Sequence, residues 1–234
     1  MLNILHEDGD LLVVNKPAGL VCHPTKGDAY SSLISRLRLY LGAGAAPSLV
    51  NRIDRETSGV VLAAKNSQTA GELGKLWEAR AVEKEYLAIV HGALPPERGR
   101  IELPLGKDEQ SEIAIKDCAR LDGAPAETEF RLERHFQRDG RQFSLVRLWP
   151  RTGRKHQLRI HLAAIGHPIV GDKMYGADPG AYLAFVQDRL TDAQRAALML
   201  PNHALHAERL CLTWRGETRV FAAPPEDAFQ EFAS

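Results

Sequence analysis

The stretch VNRIDRETSGVVLAAK, residues 50–65, places a single carboxylate between two arginines just before an apolar run. The carboxylate is Asp54, and the arginines are Arg52 and Arg55. The apolar run over residues 60–64 is too short for a helix of its own and predicts a buried β-strand. Nearby positive charges favour the ionised form of a carboxylate. Asp54 therefore fits either a surface salt-bridge cluster or a catalytic carboxylate fixed at the edge of a strand.

The segments around this stretch predict an α+β protein, because strand runs and hairpins mix with scattered helices and no regular βαβ alternation is seen. We expect a helix over residues 31–44, with Ser31 or Ser32 as its N-cap and Gly42 as its end. Further helices are predicted at residues 66–80, 154–168 (opened by Thr152 and Gly153) and 226–234. Strands are predicted at residues 11–15, 84–92, 126–136 and 141–150, and a hairpin that turns at Arg215 and Gly216 is predicted over residues 204–224. We expect loops at residues 94–99 and 176–201.

Composition places the chain among ordinary globular proteins. It has 234 residues, a formal net charge of zero, 44% hydrophobic and 26% charged residues. No run approaches eighteen apolar residues, so no membrane span is predicted. The N-terminus lacks the order of charges and apolar residues typical of a signal peptide, and we expect a cytoplasmic location.

Cysteine and histidine spacing does not predict a metal site. The three cysteines, Cys22, Cys118 and Cys211, lie far apart and form no CxxC pair, so we interpret them as small buried hydrophobic residues. Three histidines occur between residues 156 and 167, but their spacings of five and six residues do not place them on one face of a helix. We expect no metal and no organic cofactor.

The neutral total conceals an uneven distribution of charge. Residues 140–171 contain no acid, whereas residues 102–133 contain nine acids and four bases. A local basic face can bind a polyanion even when the whole molecule is neutral, although a solvated helix face is the alternative interpretation. The basic residues of the acid-free segment are Arg141, Arg147, Arg151, Arg154, Lys155 and Arg159.

Six stretches in this order resemble the RluA-like family of RNA pseudouridine synthases. They are DGDLLVVNKPAGLVCHP, RIDRETSGVVLAAK, EKEYLAIVHG, GAPAETEFRL, RTGRKHQLRIHLAAIGHPIVGDKMYG and LHAERLCL. The resemblance runs from about residue 4 to residue 221. It implies an isomerase that converts specific uridines of ribosomal or transfer RNA to pseudouridine after flipping the target base out of its stack.

The resemblance also implies roles for individual residues. Asp54 is the implied catalytic carboxylate, and Arg52 is implied to enter the RNA helix where the flipped uridine was. Tyr86, which by itself would be interpreted as strand packing, is implied to stack on the target base and to assist proton removal at C5. Arg159 is implied to pair with Asp54. The other expected RNA-binding residues are Asn51, Arg55, Thr57, Arg151, Arg154, Lys155 and His156.

The fold implied by the resemblance is a single catalytic domain over residues 1–234. It is a bent, largely antiparallel mixed sheet with helices and loops around a central cleft. Because the motifs begin within the first twenty residues, we expect the N-terminal S4-type domain of many relatives to be absent. We also expect a monomer. One departure is Asn51, where the family usually has histidine, and it could alter substrate choice or rate.

Two alternatives stay open. A nucleoside or glycoside hydrolase usually needs two carboxylates about 5 to 9 Å apart, and Glu56 is the one other acid near Asp54 in sequence. A non-catalytic RNA-binding relative is the other alternative, since Asn51 departs from the motif. The sequence does not select the route of the glycosidic step, in which the carboxylate attacks the sugar C1′, attacks the base C6 or removes a proton from the sugar.

Overall fold

The computed structural model describes residues 2–24, 31–95 and 97–234. These residues form an α+β protein with a large, mostly antiparallel sheet, as predicted. In chain order the elements are β1 (Asn3–Glu7), β2 (Leu11–Lys16), α1 (Leu33–Leu41), β3 (Ser48–Leu49), β4 (Ser58–Ala64), α2 (Ser67–Glu78), β5 (Val82–His91), β6 (Arg98–Glu102), β7 (Leu105–Lys107), β8 (Asp117–Ala119), β9 (Glu127–Arg138), β10 (Arg141–Pro150), α3 (Gln157–Ala164), α4 (Ala181–Val186), α5 (Asp192–Leu198), β11 (Leu205–Trp214), β12 (Glu217–Ala222) and α6 (Asp227–Ala233).

The elements fall into two compact units. The first contains Met1–Tyr86 and His206–Asp227, and the second contains Leu87–Leu205 and Ala228–Ser234. Strand β5 therefore begins in the first unit and ends in the second. The expectation of one catalytic domain over residues 1–234 stays a prediction.

Strand β4 is the centre of the first unit. It pairs with β2 and β3 in antiparallel fashion and with β11 in parallel. All seven of its residues are buried, which confirms the buried strand predicted from the apolar run. Both of its faces are covered: Val60 and Leu62 pack in the cluster that contains Leu73 of α2, and Val61 and Ala63 pack with α1. A strand that is buried on both faces needs apolar residues at every position, because successive side chains point to opposite sides.

Side-chain caps fix the two helices of the first unit. Helix α1 begins after Ser32, whose Oγ accepts the Ser35 N–H at 3.4 Å, and it ends at Gly42, which has a φ of 91°. Helix α2 begins after Asn66, whose side-chain oxygen accepts the Thr69 N–H at 2.9 Å. Both beginnings follow the N-cap preference for small polar residues, and both helices were predicted.

The second unit is organised by the long hairpin of β9 and β10. Its turn is formed by Asp139 and Gly140, which have φ values of 50° and 70°, as a tight hairpin requires. Strand β6 pairs with the other edge of β9. Helix α6 places Phe232 against Phe143 of β10, with ring centroids 5.3 Å apart. The predicted helix at residues 226–234 is thereby confirmed.

Three local predictions were wrong. Helix α3 begins at Gln157 rather than at Thr152 and Gly153, because the Thr152 hydroxyl donates to the Gln157 side chain at 2.7 Å instead of capping the helix. The stretch 176–201 was predicted as a loop but contains α4 and α5. Of the three cysteines, only Cys22 is buried, whereas Cys118 and Cys211 are half-buried.

None of the helices in the described part of the chain is long and apolar enough to cross a membrane.

Candidate active site

Asp54 lies in the short connection between β3 and β4, and hydrogen bonds join this connection to the backbone of β4. The Asn51 side chain donates to the Val60 carbonyl at 3.1 Å and accepts the Leu62 N–H at 2.8 Å. Asn51 is 9% exposed. Its amide therefore supports the connection rather than facing solvent, which favours a positioning role over the RNA contact that was also considered. The Thr57 N–H closes a turn onto the Asp54 carbonyl at 3.2 Å.

A buried lysine ties a second segment to the residue that follows Asp54. Lys16 is fully buried, and its ammonium donates to the carbonyl oxygens of Pro17, Leu20 and Arg55 at 2.8, 2.8 and 3.1 Å. The Arg55 carbonyl also accepts the Gly19 N–H at 2.9 Å, and Arg55 Nε donates to the Gly19 carbonyl at 3.1 Å. Arg55, predicted to contact RNA, thus has at least one structural function.

The charge of Lys16 is coupled to that of Asp54. Burial lowers the pKa of Lys16 to about 8, and nearby acidic groups, Asp54 among them, oppose this shift. A buried ammonium is tolerated where hydrogen bonds and opposite charges compensate its lost hydration. Lys16 therefore lies within electrostatic range of the carboxylate while its hydrogen bonds hold the surrounding backbone.

The Thr57-Ser58-Gly59 sequence packs against β11. His206 is fully buried, its Nδ1 lies 2.8 Å from the Ser58 hydroxyl, and its Nε2 lies 2.9 Å from the Ala223 carbonyl oxygen. Because a carbonyl only accepts, Nε2 carries the proton and Nδ1 accepts from Ser58. Burial lowers the pKa of His206, which keeps the ring neutral.

Gly59 allows the close approach of these two strands. A Cβ atom at this position would lie 2.2 Å from the Ala207 carbonyl oxygen, and the φ of Gly59 is 119°. No other residue avoids both the contact and the backbone strain. The close packing of β4 against β11 thus explains why glycine occupies this position of the motif.

Tyr86 is near Asp54 in the first unit. Its side chain is half-buried on β5. Burial raises the pKa of Tyr86, and the negative charge of Asp54 raises it further. The phenol is therefore protonated near neutral pH and within electrostatic range of the carboxylate. The structure thus brings two of the three predicted catalytic residues into one unit.

Arg159 belongs to the second unit, where Asp172 is its bidentate partner. Arg159 Nε and Nη2 donate to the two carboxylate oxygens of Asp172 at 2.7 and 2.9 Å. The two residues are 7% and 2% exposed. Burial alone would raise the pKa of Asp172, but the charge and hydrogen bonds of Arg159 lower it well below its usual range. The predicted pairing of Arg159 with Asp54 stays a prediction.

Further contacts make the Arg159–Asp172 pair rigid. Asp172 Oδ1 also accepts the backbone N–H groups of Met174 and Tyr175 at 2.9 and 3.0 Å. The Tyr175 ring lies against the guanidinium, 5.0 Å from its centroid. Our sequence reasoning missed Asp172. The available signal was its position as the first acid after the acid-free segment 140–171.

The predicted basic face of residues 140–171 is largely neutralised. Arg147 pairs with Glu133 at 3.0 Å, and Arg151 pairs with Glu129 at 2.6 Å. These pairs form because β9, which carries Glu129 and Glu133, runs antiparallel beside β10. Lys155 likewise pairs with an acid, Asp117 of β8, at 2.9 Å. Three of the six basic residues thus have an acidic partner on a neighbouring strand, and RNA binding by this segment stays a prediction.

The remaining predicted RNA-binding residues of the second unit also make internal contacts. Arg154 Nε donates to the Pro125 carbonyl at 3.2 Å while its side chain stays exposed. His156 Nδ1 lies 2.9 Å from the Tyr175 hydroxyl. Across residues 2–24, 31–95 and 97–234, no group of three or more His, Cys, Asp or Glu side chains is placed to hold a metal ion.

Comparison with known proteins identifies the class to which this arrangement belongs. Residues 10–164 match the family described as RNA pseudouridylate synthase, and the chain therefore belongs to this family. The solved structure of human RNA pseudouridylate synthase domain containing 1 has a TM-score of 0.76 at 29% identity, and the match covers 96% of this chain and 84% of that one.

Two curated bacterial relatives show the range of the similarity. The chain is 40% identical over 180 residues to the dual-specificity RNA pseudouridine synthase RluA of Vibrio parahaemolyticus, covering 75% of this chain and 70% of that protein. It is 33% identical over 237 residues to the ribosomal large subunit pseudouridine synthase D of Nitrosomonas europaea, covering 97% of this chain and 63% of that protein. This chain covers less than two thirds of the length of several other relatives, for example 58% of an RNA pseudouridine synthase of Bacillus subtilis.

Proposed function

We propose that this protein isomerises uridines of structured RNA to pseudouridine, with Asp54 as the catalytic carboxylate. One observation carries the proposal: Asp54 lies in a connection fixed by Asn51 and Lys16, within electrostatic range of the Tyr86 phenol, in a chain of the pseudouridylate synthase family. Ribosomal and transfer RNA are both candidate substrates. The names of the relatives, one dual-specificity and one acting on the large ribosomal subunit, support an RNA substrate of this kind.

The reaction needs few protein groups. The bond between N1 and C1′ of the uridine breaks, a bond between C5 and C1′ forms, and the proton of C5 is lost while N1 gains one. Asp54 supplies the charged oxygen that acts on the sugar or base. Tyr86, a half-buried phenol whose pKa is raised by burial and by Asp54, offers a ring face for the flipped base. No step requires a metal or an organic cofactor.

Arg52 suits the role of replacing the flipped base. Its side chain is exposed, and within the described part of the chain it makes no hydrogen bond or ion pair. Extruding a base costs a few kcal/mol of stacking and pairing. A planar guanidinium can stack on bases and donate hydrogen bonds at the same time, so it offsets part of this cost. Arg159 keeps its proposed catalytic role by resemblance, with Asp172 as the group that orients it.

The test is tritium release from RNA that carries tritium at uridine C5. Ribosomal and transfer RNA from cells lacking the protein are incubated separately with wild type, Asp54→Asn and Glu56→Gln. We expect release with wild type and with Glu56→Gln but none with Asp54→Asn, because only Asp54 is required as the carboxylate. The folding of each variant is checked by circular dichroism.

The same assay separates the two alternatives. Free uracil among the products would indicate a hydrolase, and RNA binding without release from either pool would indicate a non-catalytic relative. Release by Asp54→Asn at a rate near that of wild type would overturn the assignment of Asp54. A cytoplasmic location and a monomeric state stay predictions.

A further inference from the structure

The start of α1 is joined directly to the segments that flank Asp54. The N–H groups of Leu33 and Ile34 donate to the carbonyls of Val21 and Cys22 at 2.8 and 3.1 Å. The Cys22 thiol in turn donates to the Ile53 carbonyl at 3.4 Å. Cys22 thus links the first turn of α1 to the residue that precedes Asp54.

This link brings together one histidine and two arginines. His23 follows Cys22 and Arg52 precedes Ile53, so both lie beside the link. Arg38 lies four residues after Ile34, which places it on the same side of α1 about 5.4 Å further along the axis. Burial lowers the pKa of His23, and the positive charges of Arg52 and Arg38 lower it further, which agrees with their proximity.

The two arginines of this cluster differ from those of β10. Arg38 and Arg52 are exposed, and among the described residues neither makes an ion pair or side-chain hydrogen bond. Arg147 and Arg151, by contrast, are neutralised by glutamates. Cationic side chains that are held together without an internal counterion attract an external anion. The Arg38 guanidinium and the His23 imidazole offer N–H donors that a phosphate accepts, and Arg52 adds positive charge beside them.

We propose that Arg38 and His23, beside Arg52, form a binding site for a backbone phosphate of the RNA next to the target uridine. The proposal rests on the proposed function, because the position of the RNA follows from Asp54 as the catalyst. It assigns a substrate-binding role to Arg38 and His23, which the motifs did not indicate. Since a phosphate is present at every nucleotide, this site positions the RNA without reading its sequence.

The first arm of the test measures RNA binding as a function of salt. The variants are Arg38→Gln, Arg38→Lys and Arg36→Gln, the last as a matched control. Arg36 is an exposed arginine of the same helix, about 200° around the axis from Arg38. Bulk transfer RNA and ribosomal RNA serve as probes. Wild type and variants are compared by circular dichroism to establish equal folding.

We expect Arg38→Gln to weaken binding of both RNAs about tenfold at low salt and to reduce the slope of log K against log salt concentration by about 0.7 to 0.9. Arg38→Lys should keep most of the slope, and Arg36→Gln should behave as wild type. An unchanged slope for Arg38→Gln would overturn the proposal. So would a loss confined to one of the two RNAs, because that result indicates a base contact.

The second arm measures turnover on the RNA pool that releases tritium. Arg38→Gln should raise KM with kcat near that of wild type, since the phosphate contact is the same in the ground and transition states. A loss in kcat alone would contradict a binding site. If wild type releases no tritium, the proposed function fails, but the salt dependence of binding still decides whether Arg38 contacts phosphate.

Discussion

The buried pair of Arg159 and Asp172 gives the sharpest prediction about stability. In Asp172→Asn the carboxylate charge is lost, and an amide NH2 or oxygen must face the guanidinium across a contact of 2.7 Å. Removing one partner of a buried ion pair typically costs about 3 to 5 kcal/mol, because the other charge is left without compensation. We expect about 3 kcal/mol for Asp172→Asn, since an amide oxygen can still accept the N–H groups of Met174 and Tyr175.

Two further variants separate the charge from the backbone contacts. Asp172→Ala also leaves those two N–H groups without their acceptor, so it should cost about 5 kcal/mol or more. The double variant Arg159→Met with Asp172→Asn removes the buried charge as well. It should be at least about 1 kcal/mol more stable than the sum of the two single losses predicts, because the two charges that attract each other are removed together.

The assay is urea unfolding at pH 7 followed by circular dichroism. A loss below about 1 kcal/mol for Asp172→Asn, or strictly additive losses in the double variant, would refute the reasoning. The pH dependence gives a second check. The folded-state pKa of Asp172 is lowered, so its contribution is present above the unfolded pKa of about 3.9 and disappears as the pH falls below it. The stability difference between wild type and Asp172→Asn should therefore shrink below about pH 4.

Four shorter predictions test the rest of the structure. Gly59→Ala should lose about 3 kcal/mol or more, seen as a lowered melting temperature, because the new Cβ meets the neighbouring strand at 2.2 Å and the backbone is strained. Lys16→Met should lower both stability and tritium release, since it removes the donor of three carbonyl oxygens; full activity would contradict this role. His206 has a lowered folded pKa, so the free energy of unfolding should fall as the pH drops below about 6.5, and His206→Gln should flatten this dependence in urea titrations. Arg147→Gln should leave the salt slope of RNA binding unchanged, because Glu133 already neutralises the arginine.

The local structure around Asp54 was predictable because short-range rules determine it. The apolar run over residues 60–64 predicted a buried strand, and β4 is that strand. Ser32 and Gly42 cap α1 as predicted, and Arg215 and Gly216 turn the last hairpin with φ values of 50° and 79°. In each case the residues that decide the conformation are within a few positions of one another.

The contacts that shape the candidate site were less predictable because they join distant parts of the chain. From the sequence, Asn51 could either support the site or contact RNA, and the structure shows its amide hydrogen-bonded to the backbone of β4. The role of Lys16 depends on the Arg55 carbonyl, 39 positions away. Asp172 was overlooked because its position after the acid-free segment marks the residue but does not say that Arg159 is its partner.

In this chain, the ion-pair partners of the basic residues predict an RNA-binding surface better than the number of basic residues in a segment does. The acid-free segment 140–171 is the most basic part of the sequence, yet β9 supplies glutamates that neutralise Arg147 and Arg151. The segments around Asp54 look less basic, but Arg38 and Arg52 have no ion pair among the described residues. A polyanion binds most strongly to cationic side chains that are not already paired with a carboxylate of the protein. We therefore expect RNA to bind beside Asp54 rather than on the sheet face that carries Arg147 and Arg151.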